Sequence, residues 1–187
     1  MPPLTEFQQI YEEQQLAAWT THYIDVAAVH ADLEARTLGS SGADVDAGPL
    51  LLGAEAARAL TFLVGQAQEL EDSVAGLPQE IDKVAAAERE AGAGAGTFVD
   101  ERAHVRQNAL RAWAGAEQLA AFAALNYKAV ARLAKHADHD DSSLSTGPGA
   151  AILRDPDGPA AGLLAAAAAL APHKARPCDF AAHVSPE

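Results

Sequence analysis

Apolar side chains recur at steps of three and four residues along most of the chain, which is the period of an amphipathic α-helix. Phe7, Ile10 and Tyr11 follow this step and predict a first short helix that ends at about Gln15. A second amphipathic stretch, from Asp25 to Arg36, begins on a residue that favours the N-cap position. These two helices predict an N-terminal helical hairpin.

Two long helices are predicted further along the chain. The stretch from Leu50 to Glu90 is helical in composition, but Gly76 and Pro78 predict a kink or a break in it. The strongest helical period runs from Asp100 to about His139. The predicted architecture is therefore all-α, with the hairpin packed on a pair of long antiparallel helices.

Stretches without a period set the predicted domain boundaries. Residues 37–49 and 91–97 are rich in Gly, Ala and other small residues and predict loops. Residues 141–187 are rich in Pro, Gly and Ala and predict a flexible tail, with one possible short helix near residues 160–171. The sequence thus predicts one helical domain over residues 1–140, followed by this tail.

Composition supports a helical core built from small side chains. The chain has 187 residues, of which 46 are Ala and 5% are aromatic, and Ala has the highest helix propensity. The formal net charge of −13 repels nucleic acid and anionic membranes, so we expect neither as a partner. With a lone cysteine, no signal-like N-terminus and no apolar run of about 20 residues, the sequence predicts an intracellular protein, cytoplasmic or nuclear, without a membrane span.

Basic side chains concentrate at the end of the last helix of this acidic chain. Lys128, Arg132, Lys135 and His139 fall at helical spacing within an arc of about 60°, and His136 flanks them. Cations near a helix C-terminus also complement the macrodipole, each contributing roughly 0.3 to 1 kcal/mol. However, five of the 20 Lys, Arg and His side chains lie in about three turns, which favours an anionic ligand.

The second helix carries two residues that could complement these cations. Tyr23 and His30 share a face there, and a phenol hydroxyl with an imidazole opposite a cationic stripe would form a cradle for phosphate groups. The sequence alone does not show that the two helices meet.

Two segments resemble the SPX domain, a helical sensor module of phosphate homeostasis. In FQQIYEEQQLAAWTTHYIDVAAVHADL the matching residues are Phe7, Trp19, Tyr23, Ile24 and Asp25. In LAAFAALNYKAVARLAKHAD they are Leu125, Asn126, Tyr127, Arg132, Leu133, Lys135 and Asp138. The resemblance covers roughly residues 5–140 and implies a non-enzymatic sensor or adaptor that binds inositol polyphosphates or pyrophosphates and signals to a protein partner.

The ligand-binding residues that this resemblance implies, together with the basic stripe, are Tyr23, His30, Lys128, Arg132, Lys135, His136 and His139. The family's lysine four residues after the tyrosine is Ala27 here, and histidines replace further lysines. Because histidine ordinarily titrates near pH 6.5, we expect weaker binding that depends on pH.

Two other interpretations remain open at this point. An SPX-like scaffold whose ligand site has decayed would serve only as a protein interaction module. Alternatively, His136, Asp138, His139, Asp140 and Asp141 have side chains that can ligate a metal, although no remote ligand is evident and the predicted site contains no metal. Catalysis and a cofactor are not expected, because the chain lacks a Gly-rich phosphate loop, a nucleophile elbow and an HExxH motif.

Overall fold

Helices make up the regular structure of the described chain. The computed structural model describes residues 4–39, 48–91, 98–138 and 148–170, and no strand occurs among them. The elements are α1 (Leu4–Glu13), a 3₁₀ helix (Ala17–His22), α2 (Val26–Gly39), α3 (Gly48–Ala75), α4 (Leu77–Ala91), α5 (Val99–Ala137), α6 (Pro148–Arg154) and α7 (Pro159–Leu170). The predicted all-α class is confirmed.

Local chemistry explains where these helices begin and end. The Asp25 side chain caps α2, since its Oδ1 accepts a hydrogen bond of 2.9 Å from the Ala28 amide. The predicted break in the long helix is confirmed, because α3 ends at Ala75 and α4 begins at Leu77. Pro78 then lies in the first turn of α4, where its missing N–H has no intrahelical partner to lose.

The predicted loops are shorter where the structure describes them. Residues 37–39 complete α2, residues 48–49 begin α3, and Ala91 ends α4. The remaining loop positions, 40–47 and 92–97, lie outside the described residues.

The described residues form two compact units. Unit 1 holds residues 4–39, 48–64, 120–138 and 148–169, and unit 2 holds residues 65–91 and 98–119 together with Leu170. This division differs from the predicted single domain over 1–140 with a flexible tail, because α6 and α7 as far as Ala169 belong to unit 1. Ala160 and Leu163 of α7 are fully buried there, so the apolar stretch of the predicted tail contributes to the core.

Aromatic rings fill the centre of unit 1. The Phe122 ring of α5 lies 4.6 Å from the Tyr23 ring, 5.2 Å from the Phe62 ring and 5.8 Å from the Trp19 ring, measured between centroids. These contacts join α5 to α3 and to the segment that precedes α2. In a chain this rich in alanine, a few large rings provide much of the buried apolar area.

One buried amide connects three segments of unit 1. Asn126 of α5 is fully buried, and its Oδ1 accepts hydrogen bonds of 3.0 Å from both the Tyr11 hydroxyl and the Ile24 amide. Its Nδ2 donates to the Phe122 carbonyl at 2.9 Å. Asn126 therefore ties α1 and the entrance of α2 to α5.

In unit 2, α4 and the first half of α5 run antiparallel. Arg102 pairs with Glu88, and the Asn108 amide donates to Glu80 at 3.5 Å, so residue numbers rise in one helix as they fall in the other. The predicted antiparallel pairing of the long helices is confirmed here. No described residue of α4 is buried, so this hairpin is much more open than unit 1.

Replacing Asn126 with Ala removes the amide oxygen that accepts hydrogen bonds from the Tyr11 hydroxyl and the Ile24 amide. Each unsatisfied buried polar group costs about 1 to 3 kcal/mol, so we expect the free energy of unfolding to fall by about 2 to 4 kcal/mol. Urea titration followed by circular dichroism measures the change. Asn108→Ala, on the same helix but partly exposed, is the control, and an equal loss in both variants would contradict the role of Asn126.

Replacing Gly149 with Ala tests how closely α6 approaches α5. A Cβ atom at Gly149 would lie 2.1 Å from the Ala134 carbonyl oxygen, so the two helices must separate. We expect a loss of about 1 to 3 kcal/mol in the free energy of unfolding. Gly53→Ala is the control, because a Cβ there has no neighbour within 4 Å and should stabilise α3 by up to about 1 kcal/mol. Equal stability of the two variants would show that α6 does not pack on α5 as described.

Candidate functional site

The structure brings α2 and the end of α5 together at two histidines. The His30 and His136 rings lie 5.0 Å apart between centroids, with their planes inclined by 45°. The His30 side chain is 21% exposed, and His136 is exposed. This contact supplies what the sequence could not show, because it places the two predicted halves of the site side by side.

The cations of α5 extend from this contact along the same helix. Lys128, Arg132 and His136 are spaced four residues apart and therefore lie on one side of α5, with Lys135 beside them. Lys128 and Lys135 are exposed. Arg132 is half-buried, and its guanidinium carbon lies 5.8 Å from the centroid of the Phe7 ring of α1, so a cation–π contact orients it.

The carboxylate of Glu34 contacts His30, one of the two histidines. Glu34 lies one turn after His30 on α2, and its Oε1 is 3.4 Å from His30 Nε2. When His30 is protonated, this contact becomes an ion pair at a largely exposed carboxylate, so its contribution to stability is small. A more highly charged anion can therefore replace Glu34 as the partner of His30.

Tyr23 lies in the core and not on the surface of the site. It is 3% exposed, its hydroxyl oxygen accepts a hydrogen bond of 3.3 Å from the Leu16 amide, and burial raises the pKa of the hydroxyl above its ordinary value. Its ring packs on Phe122. The main observed role of Tyr23 is therefore to hold the segment before α2 against α5.

The cleft next to Tyr23 is acidic. It has a volume of about 220 Å³ and is lined by Tyr11, Glu12, Gln15, Thr20, Tyr23, Ile24, Asp25, Val26 and Ala27. Two of these residues carry carboxylates and none carries a Lys or Arg side chain. Ala27, where the resemblance to the SPX domain led us to expect a lysine, lies in this lining, so the cleft offers no Lys or Arg side chain to a phosphate group.

A pair of charged residues on α3 holds the turn that leads into α2. The Arg58 guanidinium donates to the carbonyls of Thr21 and Tyr23, the latter at 2.8 Å, and also pairs with Glu55. Glu55 in turn accepts a hydrogen bond of 3.0 Å from the Asp25 amide. Burial alone would raise the pKa of Glu55, but the hydrogen bonds from Arg58 and from Asp25 outweigh it and hold that pKa below its usual value. The pair thus stays charged and fixes the direction of α2.

The predicted site residues therefore fall into three groups. His30, Arg132 and His136 have described contacts at the junction of α1, α2 and α5, with Lys128 and Lys135 exposed on α5 beside them. Tyr23 is buried, and His139 lies outside the described residues.

In the described part of the chain, no three His, Cys, Asp or Glu side chains lie close enough together to hold a metal ion. Asp138 accepts a hydrogen bond of 2.8 Å from the Gly149 amide. His139, Asp140 and Asp141 lie outside the described residues.

Sequence reasoning missed three residues that shape this site. Glu34 was detectable, because its four-residue spacing from His30 predicts a contact on one helix face. Asn126 appeared only as a match to the family, although an isolated amide among apolar residues indicates a buried hydrogen-bond centre. Nothing in the sequence indicates that Arg58 reaches the carbonyls before α2, since that contact spans more than 30 residues.

Comparison of this chain with protein families, with curated proteins and with solved structures gave no match. Among the helices in the described ranges, none combines the length and the apolar character needed to cross a bilayer.

Proposed function

We propose that unit 1 binds an inositol polyphosphate or pyrophosphate at the junction of α2 and α5, and that it acts without catalysis as a sensor or adaptor for a protein partner. The single observation that carries this proposal is the contact between the His30 and His136 rings. It brings together the two segments that resemble the SPX domain. It also places a titratable pair at the end of a line of cations on a chain of net charge −13.

The spacing of the cations suits a ligand with several phosphate groups. From Lys128 to His136 the helix rises about 12 Å, at 1.5 Å per residue. Lys and Arg donate charge-assisted hydrogen bonds to phosphate oxygens, and exposed lysines can reorient to reach them. A compact polyphosphate could therefore contact Lys135 and both histidines together.

Ala27 and the acidic cleft predict where such a ligand would not bind. Glu12 and Asp25 repel phosphate from the cleft beside Tyr23. The proposed ligand therefore lies on the α5 side, towards Lys135 and His136. Each charge-assisted hydrogen bond that a lysine no longer makes forfeits about 1.5 to 3 kcal/mol, so the affinity is lower than a lysine-rich site would give.

Calorimetric titration of inositol hexakisphosphate at pH 6.5 and low salt tests the proposal. We expect saturable binding by the full chain, and Lys135→Ala should weaken it roughly tenfold, equivalent to about 1.4 kcal/mol. Added salt should also weaken binding, because exposed charges are screened. Lys83→Ala, which removes an exposed lysine of unit 2, is the matched control. Absence of heat from a folded sample, or equal effects of the two variants, would refute this site.

The histidine pair predicts tighter binding at lower pH. A polyanion favours the imidazolium form, so we expect the dissociation constant for inositol hexakisphosphate to fall at least threefold between pH 7.5 and pH 6.0. His136→Gln should reduce this change, whereas His104→Gln, an exposed histidine of unit 2, should retain it. Isothermal titration across this range measures the effect, and an affinity that is unchanged or weaker at pH 6.0 would contradict the role of the histidines.

A second function, a protein interaction module with a decayed ligand site, is favoured by the acidic lining around Ala27. In that case the pairing of His30 with Glu34 would be the resting state of the surface and no phosphate would replace it. The titration above separates the two functions, because a decayed site gives no saturable binding at either pH.

A further inference from the structure

The hairpin of α4 and α5 in unit 2 presents an apolar groove that no described residue covers. The groove has a volume of about 410 Å³, and the two aliphatic side chains that line it are Val84 of α4 and Val105 of α5. Beside it Ile81 is 43% exposed, and α4 has no buried residue among those described. A helix with an apolar face that stays open in this way is typical of a docking surface.

The edges of this groove are acidic. Glu80, Asp100 and Glu101 line it, together with Lys83 and His104. The guanidinium of Arg102, next to Glu101 in the chain, is already paired with Glu88. Within the described chain, Asp100 and Glu101 make no side-chain hydrogen bond or ion pair, so their charges face outward and remain available to a partner.

Charge selects among the possible occupants. Between residues 65 and 119 the sequence has ten acidic and five basic side chains, so a second copy of the same hairpin would be repelled. An anionic membrane would be repelled for the same reason. A helix with aliphatic residues on one face and Lys or Arg beside that face would match both the valines and the acidic edges of the groove.

We propose that this groove binds an amphipathic basic helix of a partner protein, with aliphatic side chains on Val84 and Val105 and cations against Glu80, Asp100 and Glu101. Helix-in-groove recognition of this kind uses residues at positions i, i+3, i+4 and i+7 as anchors. All the residues that line this surface belong to unit 2, so the proposal does not rest on phosphate binding by unit 1.

The probe is a fluorescently labelled 18-residue peptide made of Leu and Lys, with Leu at positions i, i+3, i+4 and i+7. The full chain is titrated into this peptide, and binding is followed by fluorescence anisotropy. A second peptide carries Glu in place of Lys. Glu101→Lys in the groove is compared with Glu117→Lys, the same charge change at an exposed position of α5 outside the groove. Lys83→Glu adds an acidic residue to the groove. Because it is expected to strengthen binding, it distinguishes a true charge effect from a loss of binding caused by a Glu101→Lys variant that fails to fold.

We expect saturable binding of the Lys peptide and at least tenfold weaker binding of the Glu peptide. Glu101→Lys should weaken binding at least fivefold, Glu117→Lys less than twofold, and Lys83→Glu should strengthen it at least twofold. Hydrogen exchange should show protection by the Lys peptide at residues 80–88 and 101–108. Equal effects of the two Glu→Lys variants, equal binding of both peptides, or protection confined to residues 120–137 would overturn the proposal.

Discussion

The buried side chain of Asn126 is the constraint on which the arrangement of unit 1 depends. One amide oxygen accepts hydrogen bonds from the Tyr11 hydroxyl and the Ile24 amide, and the amide nitrogen donates back to α5. A buried polar group needs partners in fixed positions, whereas an apolar contact tolerates sliding. The rest of that core is aromatic and aliphatic and makes contacts without direction, so this hydrogen-bond centre specifies one arrangement of α1, α2 and α5.

The candidate site lies at the far end of the helices that Asn126 aligns. His30 lies on α2, six residues after Ile24, and His136 lies on α5, ten residues after Asn126, so the distance between the two rings depends on the alignment of these helices. Arg58 and Glu55 reinforce the alignment from α3 by holding the turn before α2. The geometry of unit 1 around the histidines therefore depends on buried and partly buried polar contacts, while the charges that would select a ligand lie at the surface.

The two units differ in how completely they bury their apolar residues. Unit 1 packs parts of α3 and α5 with α1, α2, α6 and most of α7, and all but one of the buried apolar residues of the described chain belong to it. Unit 2 has a helical hairpin in which α4 remains uncovered by described residues. Val84 of α4 and Val105 of α5 therefore line a groove that is open on one side. The chain thus separates a basic surface suited to an anion from an acidic, apolar surface suited to a basic helix.

The sequence by itself determined the helical class, the break at Gly76 and the extent of α5, because helix propensity, proline geometry and hydrophobic period act over a few neighbouring residues. It also identified the cations of α5, since their spacing on one helix is a local property. It could not determine that α6 and α7 join unit 1, that Tyr23 is buried, or that Arg58 and Asn126 hold α2 in place. Those features were decided by the tertiary structure, because each depends on contacts between residues far apart in the chain, where packing and buried hydrogen bonds outweigh local preference.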